Sequence, residues 1–238
     1  MLDILYRDDH LIAIHKPSGL LVHRTNLDRH ETRFAVQLLR DQIGQRVYPV
    51  HRLDKGTSGV LLFALDPDIG RAVSGQFERQ EVAKKYLAVV RGHPPETGEI
   101  DYPLVKRPDD YEWTPDAEGA PPQEAVTRYR RLAVCELPYE VDRYPTSRYA
   151  LVELEPLTGR RHQLRRHLKH ISHPIIGDAT YGKGKHNRLF QTLFGCYRML
   201  LANLELQVRH PVSDKVLTIT APLAEDFAVV LAQLGWKC

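Results

Sequence analysis

VHRLDKGTSGVLLFAL, residues 50–65, governs how the rest of the 238-residue chain is read. Its second half, Val60 to Leu65, is a continuous apolar run entered through a Gly/Thr/Ser turn, Lys55 to Gly59. An apolar run of that length bounded by turn residues predicts a strand buried on both faces. The first half places His51-Arg52-Leu53-Asp54 at the entrance to that strand, where a rigid element can hold a charged side chain in fixed geometry. Asp54 is therefore a candidate for chemistry. A competing reading makes it a turn cap, its carboxylate bonding the backbone of Gly56 or Thr57.

Outward from this strand the patterns alternate between short strands and a few helices. Upstream, Leu2–Tyr6 and Leu11–His15 read as a hairpin, and Lys16-Pro17-Ser18-Gly19 as a turn. Arg24 to Glu31 reads as a polar loop, and Thr32 as the N-cap of a helix to Ile43 that Gly44 ends. Downstream, Asp66-Pro67 is a helix start, an N-cap followed by proline at the first position, and Ile69, Val73 and Phe77 supply its apolar stripe. Val82–Arg91, Glu99–Val105, Glu124–Leu137 and Ser147–Glu155 read as strands, the last two as a long antiparallel pair. Lys106 to Gln123, rich in proline and acids, reads as a surface insertion off any phosphate path.

Pro156-Leu157-Thr158-Gly159 turns the chain into a helix from Arg160 to about Ile171, with Leu164, Leu168 and Ile171 as its buried stripe. On that wheel Arg161 and Arg165 flank the stripe, while His162, Arg166 and Lys169 project to the far side. Tyr181 to Arg188 reads as a flexible basic loop. Two further strands, Met199–Val208 and Val216–Thr220, precede a last helix from about Leu223 to Leu234. Many strands with few, peripheral helices imply an α+β fold on a largely antiparallel sheet. With no internal repeat or linker, residues 1–238 read as one domain.

The composition is that of a soluble globular protein, and no apolar run approaches the roughly 20 residues of a membrane span. The N-terminus mixes charges with alternating apolar positions and so reads as strand, not as a signal peptide. Three scattered cysteines form no CxxC pair, which makes a reducing cytoplasm the simplest compartment. The net charge of +3 hides an asymmetry: residues 156–204 carry nine Lys/Arg against the single acid Asp178. Five histidines share that tract. Such concentrated charge is the footprint of a polyanion-binding surface and favours nucleic acid over a merely solvated basic face. Arg166, Lys169, Lys183 and Lys185 are the candidate phosphate contacts. A metal site on His162, His167, His170 and His173 is the rival reading. Their spacings of five, three and three do not put three on one helical face, and Pro174 breaks the last turn.

HRLDKGTSGVLLFAL, KKYLAVVRG and PLTGRRHQLRRHL, with HPIIGD beyond and KPSGLLVH near the N-terminus, resemble the successive motifs of the RluA-type RNA pseudouridine synthases. The resemblance runs in order over nearly the whole chain. RYPTSRYALVELEP and PPQEAVTRYR are most similar to a branch that modifies tRNA at uridine 65 of the TΨC stem. The resemblance implies a pseudouridine synthase fold with an active-site cleft across a mixed sheet. It also implies a reaction needing no cofactor and no metal, in which uracil is detached from C1′, turned and rejoined through C5. Asp54 matches the catalytic aspartate, Tyr86 the ring that packs against the target base, and Arg165 the partner of the aspartate. Arg52 matches a residue that fills the space vacated in RNA, and Leu154 an apolar floor under uracil. Arg161 joins the RNA-contacting set. The chain departs from the family at Leu201-Ala202-Asn203, where Leu-His-Ala is usual, and with its catalytic motifs beginning almost at Met1 it reads as lacking the N-terminal basic RNA-binding module of some relatives. Relatives imply a monomer. The competing functions are the same chemistry on ribosomal RNA and a non-catalytic RNA-binding or folding factor.

Overall fold

The computed structural model describes residues 1–24, 31–106 and 121–236. Among them are ten strands, all in one sheet, and five helices. β1 (Asp3–Arg7) and β2 (Leu11–Lys16) form the expected hairpin, α1 (Ala35–Ile43) follows, and short β3 (Tyr48–Pro49) leads into β4 (Ser58–Ala64). After α2 (Pro67–Glu78) come β5 (Ala83–Arg91), β6 (Thr97–Asp101), β7 (Val126–Leu137) and β8 (Ser147–Pro156). α3 (Gln163–His170), α4 (Gly184–Phe194), β9 (Leu201–Arg209), β10 (Val216–Thr220) and α5 (Glu225–Gln233) complete the order.

The sheet runs β1-β2-β4-β9-β5-β8-β7-β6, with β3 beside β4 and β10 beside β9. Every pairing is antiparallel except β4 with β9, which is parallel and rests on two residue pairs, Ser58–Ala202 and Gly59–Asn203. This seam joins an N-terminal half-sheet to a C-terminal one. Gly59 is required there: its φ is +112°, and a Cβ would sit 1.9 Å from the carbonyl oxygen of Asn203. The Asn203 Nδ2 donates across the seam to the Val60 carbonyl at 3.1 Å. The departure at 201–203 thus puts an amide where it stitches the two halves together.

β4 is buried throughout because it separates two apolar clusters. Val60, Leu62 and Ala64 pack with Val73 of α2 and Leu206 of β9, whereas Leu61 and Phe63 pack with Ile12, Ile14 and Leu39. Beyond the seam β5 and β8 do the same, with Val89 and Leu151 toward Phe190 and Phe227, and Ala88 and Val152 toward Leu164 and Leu168.

Three local expectations are corrected. The N-cap of α1 is Phe34, not Thr32, because Phe34 is still extended and bridges to Leu21. α3 starts at Gln163, not Arg160, because His162 takes a left-handed conformation (φ 54°, ψ 26°). Tyr181 to Arg188 is not a loop throughout: α4 starts at Gly184, and His186 and Phe190, four apart, are its buried residues. The Asp66 cap is as read, its carboxylate accepting from the backbone N–H groups of Asp68 and Ile69. Most of the acidic insertion (107–120) and of the polar loop at 24–31 (25–30) lies outside the described residues.

Candidate active site

The loop that carries Asp54 is clamped from beneath. Lys16, fully buried at the end of β2, donates its Nζ to the carbonyls of Pro17 (2.9 Å), Leu20 (2.7 Å) and Lys55 (3.2 Å). Ser18 Oγ donates to the Gly56 carbonyl at 2.8 Å, and the Gly19 N–H to that of Lys55 at 2.8 Å. Burial lowers the Lys16 ammonium to about 7, with Asp54 opposing that shift. The KPSG turn is therefore a clasp on the Asp54 turn, a backbone-satisfying role that a buried lysine fulfils with its three donors.

The Asp54 turn itself is closed by backbone, Thr57 N–H to Asp54 C=O at 3.0 Å. The carboxylate does no capping. Its Oδ2 accepts from Arg165 Nη1 at 3.0 Å, and its Oδ1 lies 3.8 Å from His162 Nε2. Arg165 is buried and spends its other two contacts on Asp178, Nε to Oδ2 at 2.7 Å and Nη2 to Oδ1 at 2.8 Å. This fork geometry fixes the guanidinium plane. Burial opposes the Arg165 charge, but Asp178 and Asp54 outweigh it and raise its affinity for the proton. The buried Asp178 also accepts from the N–H groups of Thr180 (2.8 Å) and Tyr181 (3.0 Å). Burial would raise its pKa, yet the Arg165 and backbone hydrogen bonds prevail and hold it below the usual carboxylate range. Asp178 is thus anchored in its own loop and presents Arg165 to Asp54. The lone acid of the basic tract was the signal that the sequence reading left unused.

His162, expected on the far side of the helix, lies beside Asp54 instead. Its left-handed turn brings the ring back toward Asp54, and its Nδ1 lies 3.0 Å from the Tyr181 hydroxyl. Burial lowers its pKa, with Asp54 opposing that shift. The other histidines of the proposed metal cluster are occupied or apart: His167 contacts Thr127 Oγ1 and the Tyr102 carbonyl, His173 the Arg91 carbonyl, and His170 stacks on Tyr102. Among the described residues no group of three His, Cys, Asp or Glu is placed to hold a metal.

Two hollows meet at Asp54. One, of about 390 Å³, is lined by Asp54, Tyr86, Leu164, Leu201, Thr57 and Lys84, among others. The other, of about 1150 Å³, opens on the opposite side toward Lys55, Tyr197 and Arg198. Arg52, Leu53, Asp54, Arg161, His162 and Arg165 line both and form the wall between them. Tyr86 stands on β5, separated from β4 by β9. Burial and the nearby Asp54 raise its phenol pKa, so the hydroxyl stays protonated near neutrality.

Leu154 is fully buried in the sheet directly opposite Tyr86 and lines neither hollow; Leu53, Leu164 and Leu201 are the leucines that line the smaller one. Arg52 is exposed on the shared wall. Arg166 donates to the Val105 carbonyl at 3.1 Å, and Lys169 sits 5.8 Å above the Tyr181 ring with its side chain open to solvent. Lys183 and Lys185 are exposed at the start of α4 and line neither hollow.

A family model described as RNA pseudouridylate synthase matches residues 10–170. The chain is 52% identical to the tRNA pseudouridine synthase C of Haemophilus ducreyi, over 99% of this chain and 96% of that protein. It is 49% identical to that of Haemophilus influenzae, over 100% and 99% respectively. It is also 52% identical to that of Pectobacterium carotovorum over its whole length, but there it spans 63% of the longer protein. Among solved structures, human RNA Pseudouridylate Synthase Domain Containing 4 superposes with a TM-score of 0.73 at 28% identity, over 99% of this chain and 94% of that one. Human RNA Pseudouridylate Synthase Domain Containing 1 gives 0.70 at 26%, over 93% and 83%.

Proposed function

Because the chain belongs to the RNA pseudouridylate synthase family, we propose that it isomerises a uridine of tRNA, uridine 65 in the TΨC stem, to pseudouridine, with Asp54 as the catalytic carboxylate. The observation that carries this reading is the held carboxylate. Asp54 is fixed by Arg165 on the wall of a hollow whose other side is Tyr86. A hollow of about 390 Å³ falls within the size range of ligand pockets. A stacked uridine has to leave the helix to enter it, as for other enzymes that act on bases.

In this scheme the lone carboxylate suits an isomerase. A glycosidase needs a second carboxylate to activate water, whereas an enzyme that keeps the detached uracil in its pocket does not. Arg165 holds the Asp54 carboxylate in place through its hydrogen bond at 3.0 Å. Tyr86 offers its ring to the base and, with its phenol protonated, acts as hydrogen-bond donor and not as phenolate base. Arg52 on the shared wall fills the gap left in the RNA, and the half-buried Arg166 and the exposed Lys169, Lys183 and Lys185 contact phosphates. The protein acts in the cytoplasm, as a monomer, without metal or cofactor.

The test is turnover of unmodified tRNA and of ribosomal RNA by the wild type and by Asp54→Asn, with pseudouridine mapped by position. Pseudouridine at position 65 with the wild type, its loss in Asp54→Asn and RNA affinity kept within a few-fold support the reading. Product with ribosomal RNA alone, or undiminished turnover by Asp54→Asn, overturns it.

A further inference from the structure

Neighbouring lysines on β5 have different surroundings. Lys85 Nζ lies 3.4 Å from the Glu205 carboxylate on β9. The Lys84 ammonium has no hydrogen bond or ion pair among the described residues. A β-bulge falls between Lys85 and Tyr86, yet Lys84 and Tyr86 line the same smaller hollow. Near Lys84 that hollow offers no counter-charge. His51 is neutral, burial carrying its pKa down to about 3 with the Lys84 charge adding to the effect, and its Nε2 already accepts from the Leu62 N–H. Burial depresses the Lys84 pKa as well, with no acid nearby to offset it.

A half-buried cation without a partner carries a desolvation cost that the free protein does not recover. Asp54, Tyr86 and Lys84 all line this hollow. A nucleotide with its sugar at Asp54 and its base along Tyr86 occupies the same hollow as the Lys84 ammonium.

We propose that Lys84 is a binding site for a negatively charged oxygen of the target nucleotide, the carbonyl oxygen of uracil being the favoured source and a flanking phosphate the other. This rests on the reading that the smaller hollow receives the target uridine. When the C1′–N1 bond breaks with its electron pair leaving on uracil, the charge spreads onto the two carbonyl oxygens. An ammonium fixed at the base's edge stabilises that charge more than it stabilises the neutral bound base, which is the condition for accelerating the step.

Lys84→Met and Lys84→Arg test this through single-turnover rates and tRNA dissociation constants over a range of salt. For a uracil oxygen, Lys84→Met lowers the saturated rate about 10- to 100-fold, leaves the dissociation constant within a few-fold and leaves the salt slope unchanged, and Lys84→Arg recovers part of the rate. For a phosphate, the saturated rate is kept, affinity falls and the log–log salt slope drops by about 0.7–0.9. A Lys84→Met protein with wild-type rate, affinity and salt slope overturns the proposal. So does a fall in melting temperature, shared by both variants, with none of these kinetic changes. Failure of the underlying reading shows separately, as activity that survives Asp54→Asn.

Discussion

Asp178→Asn is the perturbation that asks most of the site's geometry. The substitution keeps the size of the side chain and its ability to accept from Thr180 and Tyr181. It removes the charge that faces Arg165 and turns an amide N–H₂ toward one of two donors now held at 2.7 and 2.8 Å. Charge-assisted bonds of this kind are worth about 1.5–3 kcal/mol each, and leaving a buried ion without its partner costs about 3–5 kcal/mol. Since Asp54 still faces Arg165 and one amide oxygen remains, a loss near ~3 kcal/mol of stability is expected. The guanidinium, no longer gripped in its plane, shifts on Asp54, and the rate falls by about 10- to 100-fold, as sub-ångström misplacement of reacting groups entails. Urea denaturation gives the first quantity, and single-turnover conversion of saturating tRNA by folded protein gives the second. The pH dependence follows from the lowered pKa of Asp178. A carboxylate depressed in the folded state contributes stability above its unfolded pKa of about 3.9 and loses it as pH falls through the folded value. The gap between wild type and variant therefore closes below about pH 4. A variant with wild-type urea midpoint and wild-type rate would refute the idea that Asp178 positions Arg165.

Other expectations are simpler to check. Lys169→Ala should weaken tRNA binding and flatten its salt dependence by about one phosphate's share, read from dissociation constants at several salt concentrations; an unchanged slope removes that face from the RNA path. Gly59→Ala should destabilise strongly and lower the yield of folded protein, because its Cβ would collide with the Asn203 carbonyl at 1.9 Å; a wild-type melting curve would contradict the tight seam. The depressed pKa of His51 means that the unfolded chain takes up a proton there before the folded one does. Stability should thus fall as pH drops below about 6.5, and His51→Gln should flatten that limb in a series of thermal melts.

Much of the fold was legible because its signals are local. The apolar run of β4, the Asp66-Pro67 start of α2 and the alternation of β7 and β8 each follow from periodicity or capping and appear close to where they were read. The misreadings have local causes too. α3 starts late because His162 adopts a conformation uncommon for a residue with a Cβ, and that shift carried His162 from the presumed outer face to the side of Asp54. Lys183-Gly184-Lys185 reads as loop by composition, while the Phe190 that makes it helical falls beyond the basic run. Within the site, the Asp54–Arg165 pair was foreseen, but Asp178, Lys16 and Lys84 were not. Their roles depend on what surrounds each charge: two aspartates sharing one guanidinium, a lysine buried among carbonyls, and a lysine facing no acid. No sequence period encodes those surroundings.

The two-pair seam between β4 and β9 also has a meaning for how the protein comes into being. Asp54 and Arg165 meet across 111 residues of chain, and the strand that bonds to Gly59 begins only at Leu201. Contacts between such distant positions form late, after the loops between them have closed. A growing polypeptide still on the ribosome carries the carboxylate long before it carries β9, and so meets nearby RNA without a finished site. The Asp54–Arg165 pair and the β4–β9 seam are both complete only when the second half-sheet is in place.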